Sequence, residues 1–134
     1  MRLKLAQLPL QMDTGYHGAI RALAGEELKA GDLVAVAARR GAYLQVVVAD
    51  ATRANYTMLF VADHGCPEGE ICRCVSYKIS DAALPASAKL GDPIYLGTNG
   101  TSTTRTTLKK PRIVGTVIDD DGEFRALLAP TYGA

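Results

Sequence analysis

His64, Cys66, Cys72 and Cys74 fall within one short segment and bring together the residue types that bind zinc. Zinc takes cysteine thiolates and imidazoles tetrahedrally. If the chain turns so that Cys66 faces Cys72, an antiparallel register sets His64 opposite Cys74 and all four side chains share one face. The spacing argues against that use, because a single residue separates Cys72 from Cys74 where zinc knuckles leave about two to four. The preferred reading is three small buried hydrophobes. A metal site or a Cys66–Cys72 disulfide are the alternatives, and no cofactor is expected.

Other reactive constellations are weaker. His17 and His64 have no Ser or Cys nucleophile at a spacing that would build a triad. Asp119-Asp120-Asp121 lacks the spaced ligands and closing Glu of a calcium loop and reads as a solvated hairpin tip. Gly97-Thr98-Asn99-Gly100-Thr101 is followed by no Gly-Lys-Ser or Gly-Lys-Thr, so it reads as a turn and not a phosphate cradle. Lys109-Lys110-Pro111-Arg112 has no interleaved aromatics for base stacking and reads as a charged strand edge that discourages unwanted pairing. The expectation is a protein without catalysis.

The elements that carry these residues are announced by a repeated phrase. Leu28-Lys29-Ala30-Gly31-Asp32-Leu33-Val34 returns as Ala88-Lys89-Leu90-Gly91-Asp92-Pro93-Ile94. A Gly-Asp pair ahead of an apolar run is a turn feeding a strand, since Gly accepts positive φ and Asp bonds its own backbone. Strands are expected at 33–38, 42–49, 56–62, 71–79, 92–97, 113–118 and 123–129, with Val46-Val47-Val48 covered on both faces. Asp121-Gly122 marks a tight hairpin. Thr98 to Thr107 reads as the most mobile loop. This predicts an all-β fold, a small barrel or sandwich of about seven or eight strands.

The chain has 134 residues, enough for one domain with its own core. Its 15 Lys plus Arg nearly balance 14 Asp plus Glu, which removes the concentrated positive surface that a nucleic-acid partner requires. No apolar run approaches the roughly 20 residues that span a bilayer, and an odd number of cysteines suits synthesis in a reducing cytoplasm.

Residues 1–18 stand apart from the domain at 19–134. Leu3 and Leu5, then after a slip Leu8 and Leu10, alternate with other residues and imply an extended segment with one apolar face. Such a segment is either the first strand of the domain or an arm that adds to another chain's sheet edge, and Pro9 suits an edge or an arm.

The run from Ala24-Gly25-Glu26-Glu27-Leu28 through Gly31-Asp32-Leu33-Val34 resembles tailed-bacteriophage head decoration proteins, also called capsid cement or stabilising proteins. So do Gly91-Asp92-Pro93-Ile94-Tyr95-Leu96 with the Thr-rich stretch after it, Ile113 to Ile118, and Ala126-Leu127-Leu128-Ala129-Pro130. The resemblance covers about residues 20 to 130. It implies a β-rich homotrimer on the outer surface of the mature capsid, tying major capsid protein subunits together, with Leu3, Leu5, Leu8 and Leu10 as the capsid-binding arm. Two alternatives are a head fibre base or tail component of the virion, and a small metal- or ligand-binding β-barrel resting on the His64–Cys74 cluster.

Overall fold

The structure is a computed structural model that describes residues 18–53, 56 and 58–130. No helix occurs among these residues. Ten strands form two units. The first is a closed barrel of β1 (Ala19–Ala24), β2 (Leu33–Arg40), β3 (Tyr43–Val48), β4 (Leu59–Ala62) and β5 (Ile71–Val75), in the order β1-β3-β2-β4-β5. The second is a five-stranded sheet of β6 (Lys78–Ile79), β7 (Pro93–Leu96), β8 (Ser102–Thr103), β9 (Ile113–Asp120) and β10 (Glu123–Leu128), in the order β6-β10-β9-β7-β8.

The expected strand count of seven or eight is corrected to ten, for three reasons. β1 is alanine-rich and carries little strand propensity of its own. It is held by long-range pairing, antiparallel to β5 with Ala19 opposite Val75, and parallel to β3 with Ala22 opposite Leu44. Its Ala22 and Ala24 point into the barrel, where five strands leave room for little more than small side chains. The run expected as one strand from Ile71 to Ile79 bends at Ser76 and divides between the two units. The Thr-rich stretch contains β8, paired with β7.

Both core layers follow from the alternation of side chains along a strand. Val34, Phe60, Ala62, Cys72 and Cys74 fill the barrel. Leu33, Ala35, Leu59 and Val61 point outward and meet Ile94, Leu96, Val114, Val117, Ala126 and Leu128 of the second sheet. β4 is therefore buried at all four positions, because one face looks into the barrel and the other into the shared layer. That two-sided burial was expected of β3, where only Val46 is fully buried.

The repeated Gly-Asp phrase folds the same way twice. Lys29 N–H donates to the Asp32 carboxylate at 2.8 Å and Lys89 N–H to Asp92 at 2.9 Å. Gly31 and Gly91 have φ of 87° and 88°, a region that favours glycine. Gly31 N–H donates to the Ala62 carbonyl on β4, and Gly91 N–H to the Val117 carbonyl on β9. Pairing β1 with β6, β2 with β7, β3 with β8, β4 with β9 and β5 with β10 then maps one unit onto the other. The barrel order β3-β2-β4-β5-β1 reappears as β8-β7-β9-β10-β6. The units differ in one respect: β1 closes on β3, whereas β6 and β8 are the two edges of an open sheet. At the expected hairpin, Asp121 and Gly122 have φ of 55° and 87°, as a tight two-residue turn requires.

Candidate functional site

The structure separates the His64–Cys74 cluster that the spacing grouped on one face. Cys72 and Cys74, two apart on β5, both point into the barrel, and Cys66 reaches the same core from the loop where its backbone bridges Leu28. His64 remains exposed outside. It accepts at Nε2 from the Arg73 N–H at 3.3 Å, and its Nδ1 lies 2.9 Å from the Gly65 carbonyl. Its exposure sets it apart from the Cys72 and Cys74 thiols, which are buried inside the barrel. All three cysteines are free thiols. Among the described residues no group of three or more His, Cys, Asp or Glu side chains is placed to hold a metal ion.

Burial first, then the neighbouring Cys72 thiol, pushes the Cys66 thiol up to about 12. Cys72 is raised further, by its contact with Cys74 and then by burial. Two consequences are expected. Maleimide at pH 8 labels Cys66 and Cys72 at least roughly a hundredfold more slowly in the native protein than after unfolding, because the thiolate is the reactive form. Stability is fully retained below the ordinary thiol range near pH 8.5 and declines as pH rises toward 12, since the unfolded chain releases protons that the folded one keeps. The slope is about 1.4 kcal/mol per pH unit for one thiol, measured by urea unfolding across that range.

Beside His64, Asp63 bonds Arg73 Nη1 and Lys78 Nζ, each at 3.1 Å, and so ties the end of the barrel to the start of β6. Lys78 opens the edge strand of the second sheet. Along β6 the Ser80 N–H donates to the Ala126 carbonyl, which turns the intervening Ile79 N–H and C=O to the other side. Along β8 the Gly97 N–H donates to the Thr101 carbonyl and Thr103 pairs with Tyr95, so Ser102 likewise faces away from β7. Ile79 and Ser102 thus look into a seam between the two edges.

Two neighbouring hollows, which share Ser80, Ala82 and Ser102 in their linings, lie along that seam. One of about 460 Å³ is bounded by the first Gly-Asp turn, β6 and Gly100–Ser102. One of about 210 Å³ is lined by Ser80, Leu84, Ser102 and Thr103 and reaches Ile94 and Ala126, both of them almost wholly buried. Asp32 borders the larger hollow, and its partial burial raises its carboxyl above the usual range. The sequence carries an indirect sign of the two units: each Gly-Asp turn leads into the second strand of a unit, β2 after β1 in the first and β7 after β6 in the second.

The remaining candidates have ordinary structural roles or lie elsewhere. Leu3, Leu5, Leu8, Leu10 and His17 lie outside the described residues. Asp119 Oδ1 accepts from the Gly122 N–H at 2.8 Å within the hairpin turn. The Gly97–Thr101 turn joins the units, with the Leu33 N–H donating to the Gly100 carbonyl and the Gly100 N–H to Ala49. Lys109 and Lys110 are exposed, but they lie in the loop before β9, an inner strand of its sheet, so they form no charged strand edge, and Arg112 is half-buried and donates from Nη1 to the Tyr56 carbonyl. Burial lowers its guanidinium pKa.

No protein-family model matches the chain, and no curated protein matches it. Among solved structures it is similar to the N base of head fiber gp8.5 from bacteriophage phi29, with a TM-score of 0.55 and 16% sequence identity. The alignment covers 85% of this chain and 95% of that one. At that identity the likeness establishes a shared fold.

Proposed function

We propose that this chain is a non-enzymatic structural protein of a tailed-phage virion, seated on the outside of the head as the base of an appendage. The observation that carries this reading is the fold shared with a head fiber base over nearly the whole of both chains. The repeated strand-entry phrase and the order of strands after it add a resemblance to head decoration proteins, which occupy the same kind of surface. Its partner on this reading is the major capsid protein, and its working form is a homotrimer of the 14.2 kDa chain.

Three copies bound together make the second and third contacts intramolecular, so weak individual contacts hold durably. A protein that binds only the mature lattice also stabilises that lattice by mass action. The leading leucines Leu3, Leu5, Leu8 and Leu10 are the segment offered to the shell, through main-chain pairing that needs little sequence specificity.

Cryo-electron microscopy of heads of the encoding phage, with and without the chain, tests the reading. Density at a restricted set of three-fold positions, bearing a projection, is the expected result. Lattice-wide occupancy without a projection would instead assign a capsid cement, and absence from particles would overturn virion attachment altogether.

A further inference from the structure

The outer wall of the barrel carries a row of cations that the chain only partly offsets. Arg21 on β1 stands directly opposite Arg73 on β5. Backbone bonds join these strands at Gly18–Ser76 and at Ala24–Glu70, so the two arginines, an odd number of positions from each, form a pair of the closer, non-hydrogen-bonded kind. They alternate with Ala22, Cys72 and Cys74, which fill the barrel, and so point outward. Like charges placed opposite each other repel. Asp63 holds Arg73 and Lys78, each at 3.1 Å, but among the described residues no carboxylate pairs with Arg21. The register that sets Ala22 beside Leu44 puts Arg21 level with Tyr43, and Tyr43 pairs with Arg40. Leu23 and Ile71 face each other one pair further along the same wall, Ile71 being 42% exposed. A hollow of about 390 Å³ lies between Arg21, His64, Ile71 and Arg73.

The opposite charge is concentrated on the β9–β10 hairpin. β7 leaves β9 at Thr116 and β6 leaves β10 at Leu127, so the ribbon from Ile118 to Arg125 has no neighbouring strand among the described residues. On one of its faces Phe124 stands opposite Asp119, in line with Ala126 and Val117 of the shared core layer. Phe124 lies past the edge of that layer and is 44% exposed. On the other face Arg125 pairs with Asp120 and Glu123. Asp119 and Asp121 then remain as tip carboxylates with no ion pair among the described residues, beside an uncovered aromatic ring.

We propose that the β9–β10 tip of one copy docks on the β1–β5 wall of the next, with Phe124 against Leu23 and Ile71 and the Asp119 and Asp121 carboxylates at Arg21 and Arg73. Wall and tip are complementary in charge, and each adds an exposed apolar group to the contact. Both belong to one chain, so every copy brings its partner's counterpart at equal concentration, and a formal net charge of +1 leaves little overall repulsion between copies. Because the two patches differ, the contact is head-to-tail and closes into a ring where the rotation allows. It supplies the contact that the homotrimer proposed above requires, and rests on that reading for a ring of three.

Sedimentation velocity of the full-length protein tests this without particles. The chain should self-associate in about 0.1 M salt and do so at least about tenfold more weakly in about 1 M salt, where the screening length falls from about 10 Å to about 3 Å. Arg21→Glu and Asp121→Lys are each expected to weaken association at least about tenfold, because each sets like charges against each other. Mixed in equal amounts, the two variants should associate again, since the reversed tip of one meets the reversed wall of the other. Both positions are exposed, and circular dichroism melts check that each variant folds. If lysine loosens the hairpin, Asp121→Asn decides, since asparagine suits the φ of 55° there and should weaken association in the same direction. A chain that stays monomeric, an oligomer indifferent to both substitutions, or a mixture that stays apart would overturn the proposal. So would duplex DNA bound through Arg21 in place of a second copy. Whether the chain sits on heads is decided separately, by the microscopy of particles.

Discussion

Gly115→Ala is expected to destabilise the protein by about 3 kcal/mol or more, the range of severe overpacking. Gly115 sits in β9 between β7 and β10, opposite Ile94 on one side and Leu128 on the other. A Cβ built there would lie 2.2 Å from the Leu127 carbonyl oxygen and 3.0 Å from its carbonyl carbon. Those are backbone atoms of a paired strand, so no rotamer change relieves the contact, and β9 and β10 must part. Gly122→Ala makes the matched comparison. Its φ is 87° but no atom lies within 4 Å of the added Cβ, so only the left-handed backbone penalty of about 1 kcal/mol applies. Thermal melts should show a loss of about 10 °C or more for the first variant and a few degrees for the second. Equal losses would mean that backbone conformation, and not the close approach of β9 to β10, sets the cost.

The second large effect concerns the layer between barrel and sheet. Leu33 on the barrel's outer wall and Ile94 on the facing sheet are both fully buried and belong to the same cluster. Truncating either to alanine should cost about 2–5 kcal/mol through lost burial and the cavity left behind. Because the layer is shared, each variant should move one common unfolding transition, seen identically by far-UV circular dichroism and by exposure of the barrel's cysteines. Two separated transitions, with Ile94→Ala lowering only one, would show that the sheet unfolds independently of the barrel. The backbone ties at Gly97–Thr101 run in the same direction as the packing, since they join the β7–β8 turn to Leu33, Ala49 and Ala51 of the barrel unit.

How far the candidate site could be read in advance depended on whether a feature is local. The cysteines were legible as buried residues, because a small apolar side chain in a strand-like run has one common destination. Their separation from His64 was not legible. It depends on the pairing of Cys72 with Ala22 and of Cys74 with Ile20, residues about fifty positions upstream, which decides the side of β5 that faces inward. Arg112 likewise read as part of an exposed basic cluster until the packing of the two units placed its guanidinium against the Tyr56 carbonyl.

Contiguous residues by themselves determined the all-β class, both Gly-Asp strand entrances and the Asp-Gly hairpin. Each depends on turn chemistry complete within a few residues: a positive φ that glycine accepts, and a carboxylate able to bond the nearby backbone. Only the tertiary structure decided that the first unit closes while the second does not. Closure requires an alanine-rich strand of weak intrinsic preference to pair with β3 and β5 at once. Such pairing is settled by the geometry of distant partners and the small volume inside five strands, which no short stretch of sequence encodes.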